Sequence, residues 1–239
     1  MVIGTTEDLS ETHFQAGVQS LKASKFERAA KSFKHVLRSR KRNANALINL
    51  GYAEAHLSNH ETAVKLWRQA LEIEPKNTIA LDNIAAAYEA RGMLSDALDA
   101  YLTLRSVTPN AAAAHRSLGR IYYKQSHYVQ ARRAFQDALN LDPNHAATHN
   151  NLGAVYLVSG KYKRAAQEFA TARKLDADST AATFNAGLAY ISLGDFSAAL
   201  DTYKMLTESV PKDVDAAIQY GFVLAKLGKF AQARSTWER

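Results

Sequence analysis

Alanine recurs every 34 residues along this chain, at Ala29, Ala63, Ala97, Ala131, Ala165, Ala199 and Ala233. Glycine keeps the same interval at Gly17, Gly51, Gly119, Gly153, Gly187 and Gly221, with Ala85 at the one skipped step. The four prolines, Pro75, Pro109, Pro143 and Pro211, share a single register as well. A period of this length, sustained from end to end, marks an array of stacked supersecondary units. Each unit buries its apolar side against its neighbours, so no central core is needed.

Within one period the pattern reads as two antiparallel helices. The first follows a polar residue suited to capping orphan N–H groups: Asn43, Asn77, Asn110, Asn144, Asp178 or Asp213. Apolar residues then return at helical spacing, as at Leu47 and Leu50. A turn is expected near Ser58, Gly92, Gly160, Gly194 and Gly228, where a left-handed residue ends a helix at low cost. The second helix carries the periodic alanine and, four residues on, an aromatic: Phe33, Trp67, Tyr101, Phe135, Phe169, Tyr203 or Trp237. Such a small–large pair lies on one face and lets a neighbouring helix come close. The prolines are expected to stop the second helix. Units therefore begin at Ser10, Ala44, Thr78, Ala112, Ala146, Thr180 and Val214. Six are complete in 10–213, a truncated seventh occupies 214–239, and residues 1–9 read as a flexible tail.

The run Asn151-Leu152-Gly153-Ala154-Val155-Tyr156, with Gly160-Lys161-Tyr162, Ala165, Phe169 and Ala172, resembles the tetratricopeptide repeat motif, and the resemblance extends over residues 10–239. Departures are local: Ala85 replaces Gly, Lys41 and Ala177 replace Pro, and the first unit diverges throughout. The resemblance implies an all-α fold, a right-handed superhelical solenoid of antiparallel helix pairs whose first helices line a concave face. It also implies a scaffold for protein–protein interaction.

Composition removes most other classes. The chain has no cysteine, which excludes disulfides and thiolate metal sites and fits a cytoplasmic setting. Its start lacks a basic segment followed by an apolar one, and no apolar run is long enough to span a membrane. No phosphate loop, nucleophile elbow or zinc-protease motif occurs. The pairs His56/His60 and His145/His149 have metal-compatible spacing but no carboxylate or thiol completes either set in sequence, so no enzyme activity, metal or cofactor is expected. The net charge of +7 is local. Nine basic residues against one acid between Lys22 and Arg42 carry +8, leaving the remainder at −1. That segment could meet an anionic membrane surface or an acidic protein; nucleic acid is disfavoured because aromatics for stacking are few.

Three groups of first-helix residues are candidates for peptide binding. One is an amide ladder two residues before each glycine, including Asn49, Asn83, Asn151 and Asn185, which could bond a peptide backbone without reading its sequence. The second is a cationic stripe, Arg116, Arg120 and Lys124, with Tyr123 and Asn150 beside it, suited to an acidic side chain or a terminal carboxylate. It departs from the carboxylate clamp of chaperone-binding relatives, having Ala181 and Asn185 where a further cation would stand. Asp82 and Glu89 could instead neutralise the stripe. The third is an apolar patch of Phe184, Leu188, Ile191, Ile218 and Phe222, suited to a hydrophobic anchor. The expected function is a non-enzymatic adaptor binding an extended or helical protein segment. The alternative is the targeting arm of a larger enzyme such as a glycosyltransferase, suggested by a chain that ends inside a second helix. Exposure of Phe230, Trp237 and part of Phe222 at that end leads to an expectation of self-association there.

Overall fold

The computed structural model describes residues 6–238, and among them all regular structure is α-helical. Packing divides the chain into two units, residues 1–110 and 111–239. The first unit holds α1 (Thr6–Lys22), α2 (Phe26–Ser39), α3 (Ala44–His56), α4 (His60–Ile73), α5 (Thr78–Ala90) and α6 (Leu94–Val107). The second holds α7 (Ala112–Lys124), α8 (Tyr128–Leu141), α9 (Ala146–Val158), α10 (Tyr162–Leu175), α11 (Thr180–Leu193), α12 (Phe196–Ser209), α13 (Val214–Lys226) and α14 (Phe230–Trp237). Within each unit every helix packs on the next. In addition first helices touch one another, α1 on α3 and α3 on α5, then α7 on α9 and α9 on α11. Residues 6–9, read above as tail, belong to α1; residues 1–5 lie outside the described residues.

The turn inside each repeat rests on one left-handed residue. These are Ser24, Ser58, Gly92, Ser126, Gly160, Gly194 and Gly228, with φ between 54° and 76°, again 34 residues apart. Nothing lies within 4 Å of a Cβ built at Gly92, Gly160, Gly194 or Gly228, so backbone conformation alone favours glycine there.

Two expectations are corrected. Three first helices are not capped by the polar residues proposed from sequence. Their N-cap positions are Ala111, His145 and Ser179, one residue after Asn110, Asn144 and Asp178. The helix starts keep the 34-residue register of Asn43, Asn77 and Asp213, whose side chains do accept the capping bond. Tertiary packing sets the register and the nearest good capping residue does not move it. Proline, though it follows the second helix in four repeats, is not required to end it. α2 and α10, which lack it, stop at Ser39 and Leu175, in step with the four that have it.

The repeat's packing unit is a ring on a glycine. In the fifth repeat, a Cβ added to Gly153 would stand 2.6 Å from Phe169 Cε1; in the fourth, one at Gly119 would stand 2.6 Å from Phe135 Cδ1. Phe33, Phe135, Phe169 and Tyr203 are fully buried in this way. Where the ring has a polar tip, the tip reaches across to the first helix. Trp67 Nε1 donates to Ile48 O (3.0 Å) and the Tyr203 hydroxyl to Phe184 O (3.1 Å). In the third repeat Ala85 replaces the glycine, and the Tyr101 hydroxyl meets Glu89 Oε2 at 3.3 Å.

One buried charge joins the first two repeats. Glu54, 4% exposed, receives Lys34 Nζ at 2.7 Å and Asn59 Nδ2 at 2.7 Å. Burial pushes its carboxyl up, but the hydrogen bonds from Lys34 and Asn59 and the charge of Lys34 outweigh this and hold it below its usual 4.5. A carboxylate whose folded value is depressed stabilises the fold above the unfolded value and loses that contribution as pH falls. Glu54→Gln should therefore cost about 1–3 kcal/mol at neutral pH. The difference from the parent should shrink below pH 4.5, as read by urea unfolding across a pH series.

Candidate functional site

First helices carry the candidate side chains because the second helices present their small–large faces inward. Of the amide ladder, Asn185 is engaged within the protein: its Nδ2 donates to Asn150 Oδ1 at 2.9 Å, fastening α11 to α9. That bond holds two neighbouring first helices in register and occupies the two amides most suited to a ligand. Asn49 donates to Asn45 O one turn back (2.9 Å), while Asn83 and Asn151 are half-buried. The ladder is thus not uniform.

The cationic stripe is also modified. Arg116 Nη1 meets Asp142 Oδ2 at 3.2 Å, an ion pair between α7 and the residue that follows α8. Arg120 and Lys124 reach solvent on the same face, one and two turns further along α7, and each is engaged with a partner. Tyr123 is half-buried, its ring edge-on to Tyr128 with centroids 5.8 Å apart. Burial, and then the neighbouring Tyr128, push its hydroxyl above the usual tyrosine range. It therefore stays a neutral donor beside the two cations.

The apolar patch divides. Phe184 is half-buried and packs edge-on against Tyr203 (5.6 Å), and Ile191 joins the same cluster, so both belong to the core of the sixth repeat. Leu188 is half-buried. Ile218 and Phe222 are exposed, with Lys226 Nζ 5.4 Å from the centroid of the Phe222 ring. In the seventh repeat, Trp237 is 53% exposed even though its Nε1 donates to Ile218 O at 3.3 Å.

A group missed in the sequence stands in the first unit. The Phe26 and His56 rings stack with centroids 4.2 Å apart, and Tyr52 tilts against His56 at 4.6 Å with 42% of its surface exposed. Tyr52 occupies the repeat position of Arg120, Leu188 and Phe222, so the 34-residue register carried the signal.

Three of the four histidines with metal-compatible spacing have other partners, His56 in the ring stack just described. His145 Nδ1 accepts the capping bond of Thr148 N (3.2 Å). His149 sits between Glu168 Oε2 (2.7 Å) and Pro143 O (2.9 Å). Among the described residues no group of three or more His, Asp or Glu could hold a metal ion, and no helix is long and apolar enough to cross a membrane.

No curated protein sequence matches the chain. Several hundred solved chains share its fold. A tetratricopeptide repeat protein from Parabacteroides merdae is 18% identical, with a TM-score of 0.76 over 96% of this chain and 91% of its own. PilF of Pseudomonas aeruginosa is 16% identical, with a TM-score of 0.74 over 92% of this chain and 99% of its own. YrrB, described as a TPR protein with an unusual peptide-binding site, is 21% identical, with a TM-score of 0.67 over 79% and 97%. At these identities the likeness is one of fold. The tetratricopeptide repeat profile matches residues 16–78, 150–214 and 184–239, and a second TPR repeat profile matches 119–160. With its helix pairs, its glycine–ring contacts and these matches together, the chain belongs to the tetratricopeptide repeat family, an all-α solenoid family of protein-interaction scaffolds.

Proposed function

We propose that this protein is a non-enzymatic cytoplasmic scaffold that binds an acidic, extended or helical segment of another protein along the first helices of its second unit. The observation that supports this reading is the solvent face of α7, where Arg120 and Lys124, each already engaged within the protein, stand a turn apart on the same helix as the neutral, half-buried Tyr123. A side-chain carboxylate or a chain terminus matches that chemistry. Asn151 on α9 and Leu188 on α11 would meet the backbone and an apolar side chain of the same segment. Phe222 on α13 would meet a second apolar group.

The test separates binding from folding. Arg120→Ala with Lys124→Ala should weaken capture of an acidic peptide by roughly tenfold, since exposed charge pairs contribute up to about 1 kcal/mol each. Far-UV helicity should be retained, and the affinity of the parent should fall with added salt. Arg116→Ala should act on stability instead, by releasing Asp142. Fluorescence anisotropy with acidic, neutral and basic peptides of one length reads the first result. Equal affinity for all three peptides would overturn the proposal, as would an unchanged affinity in the double variant.

A further inference from the structure

The strongest charge in the protein lies on the second helix of the first repeat, away from the first-helix face. α2 buries Ala29, Ala30, Phe33 and Val36 against its neighbours. On the opposite side Arg28, Lys31, His35 and Arg38 follow at intervals of three, four and three residues, which sets them in one line along the helix. Lys22 at the end of α1 and Lys25 just before α2 flank the helix on one side, and Arg40, Lys41 and Arg42 flank it on the other; all five are exposed. The helix between them is about 21 Å long at 1.5 Å per residue. Arg28 and Lys31, one turn apart on that face, stand about 5–6 Å from each other, closer than the screening length of about 8 Å at physiological salt, so their fields add; Arg38 follows two turns beyond Lys31. Lys34, paired with Glu54, and Arg40, also engaged with a partner, are excluded from the set, and Glu27 in the first turn of α2 is the one acid of the segment.

The corresponding stretch of the fifth repeat shows that this is not a general property of second helices. Residues 158–178 hold five basic residues against three acids, and Asp176 and Asp178 cancel the charge at the end of α10.

What the α2 face lacks defines its partner. Every exposed side chain of α2 is polar or charged. Phe26 is half-buried on His56, Phe33 is fully buried, and the ring of the exposed His35 is stacked on His13 of α1 with centroids 4.9 Å apart, so the rings of α2 are engaged within the protein and poorly placed to stack on a base. With half of its circumference packed, α2 does not protrude in the way that a helix entering a nucleic-acid groove must. No apolar side chain is presented for insertion or for a protein anchor. A dense cationic line without readers or pockets fits a target that carries dense negative charge without fixed geometry. The lipid headgroups of an anionic bilayer have that property, because they diffuse laterally to match any arrangement of cations.

We propose that α2 and its two flanking turns form a peripheral docking surface for anionic phospholipid membranes. The protein would be held at a membrane by its first repeat. Attraction of this kind weakens about fivefold for each cation removed near the surface. Arg28→Gln, Lys31→Gln and Arg38→Gln together should therefore lower partitioning onto phosphatidylserine-containing vesicles on the order of a hundredfold. Circular dichroism checks that the variant is folded; Lys31→Arg should bind as the parent does. A variant with Lys163→Gln, Arg164→Gln and Lys174→Gln on α10 should also bind like the parent.

Vesicle flotation with phosphatidylcholine alone, with added phosphatidylserine, and at rising salt reads the outcome. Expected are binding to the anionic vesicles only, release by salt, and loss in the α2 variant. The proposal is overturned if the parent fails to float with anionic vesicles or if the α2 variant floats equally well. It is also overturned if an RNA oligonucleotide or poly-glutamate, titrated in competition, holds the protein more tightly than the vesicles do.

Discussion

Gly153→Ala should destabilise the fifth repeat by about 1–3 kcal/mol, although alanine is the better helix former by about 1 kcal/mol. Packing outweighs propensity here because the added methyl would stand 2.6 Å from Phe169 Cε1 and 2.8 Å from Cδ1. The ring has nowhere to retreat. Phe169 is fully buried in a cluster with Phe135, Leu152, Val155 and Tyr156, and with the periodic alanines Ala131 and Ala165. Either α9 moves away from α10 or the ring leaves its rotamer, and both disturb the joint on which α11 is stacked. Hydrogen exchange should show the loss in α9 and α10 first, since repeat arrays lose cooperativity locally. Gly160→Ala is the control: its site is open, and any cost comes from its φ of 69° alone. Replacing Phe169 by Leu in the Gly153→Ala background should return part of the loss, with a coupling energy of about 0.5–3 kcal/mol for residues in contact. A Gly153→Ala protein as stable as the parent would remove the glycine–ring contact from the account of the fold.

Ala131→Leu should be as damaging, for a related reason on the other helix of the pair. Ala131 lies in α8, is fully buried, and adjoins Phe135 one turn on. Leucine brings three further heavy atoms to a close contact between helices, and overpacking of that kind costs about 1–3 kcal/mol and occasionally more. Ala170→Leu is the comparison: Ala170 is exposed on α10, and surface changes away from such contacts stay within about 0.5 kcal/mol. Thermal unfolding of the two variants should separate them clearly. An unchanged melting temperature for Ala131→Leu would mean that the alanine period reports something other than close helix packing.

Both predictions concern features legible in the sequence, and their legibility has a physical cause. The glycine, alanine and ring positions recur because each repeat solves the same packing problem with the same neighbours, so the solution is written once per period. The turns were readable for the same reason, including Ser58, whose left-handed φ of 66° falls in the glycine series. The capping residues were misplaced in three repeats because a polar side chain one residue early resembles a cap equally well in a linear reading. Only the packed register of α7, α9 and α11 distinguishes the two.

The candidate site was legible only as positions. The period placed Asn185, Arg116 and Phe184 on first helices, but a repeat position does not say what meets a side chain in space. Asn185 bonds Asn150, 35 residues away; Arg116 pairs with Asp142, 26 residues away; Phe184 packs on Tyr203. These partners differ from repeat to repeat, so no period announces them. The reverse holds for Tyr52, which the register marked and whose stacking with His56 and Phe26 only the folded chain reveals. The sequence by itself determined the helix pairs, their turns and the periodic glycine, alanine and ring positions, because these rest on local conformation and on contacts repeated every 34 residues, while the seating of each ring on a glycine emerged only in the folded chain. Tertiary structure alone decided which polar and aromatic groups are engaged within the protein and which face solvent, because that depends on non-repeating distances between side chains far apart along the chain.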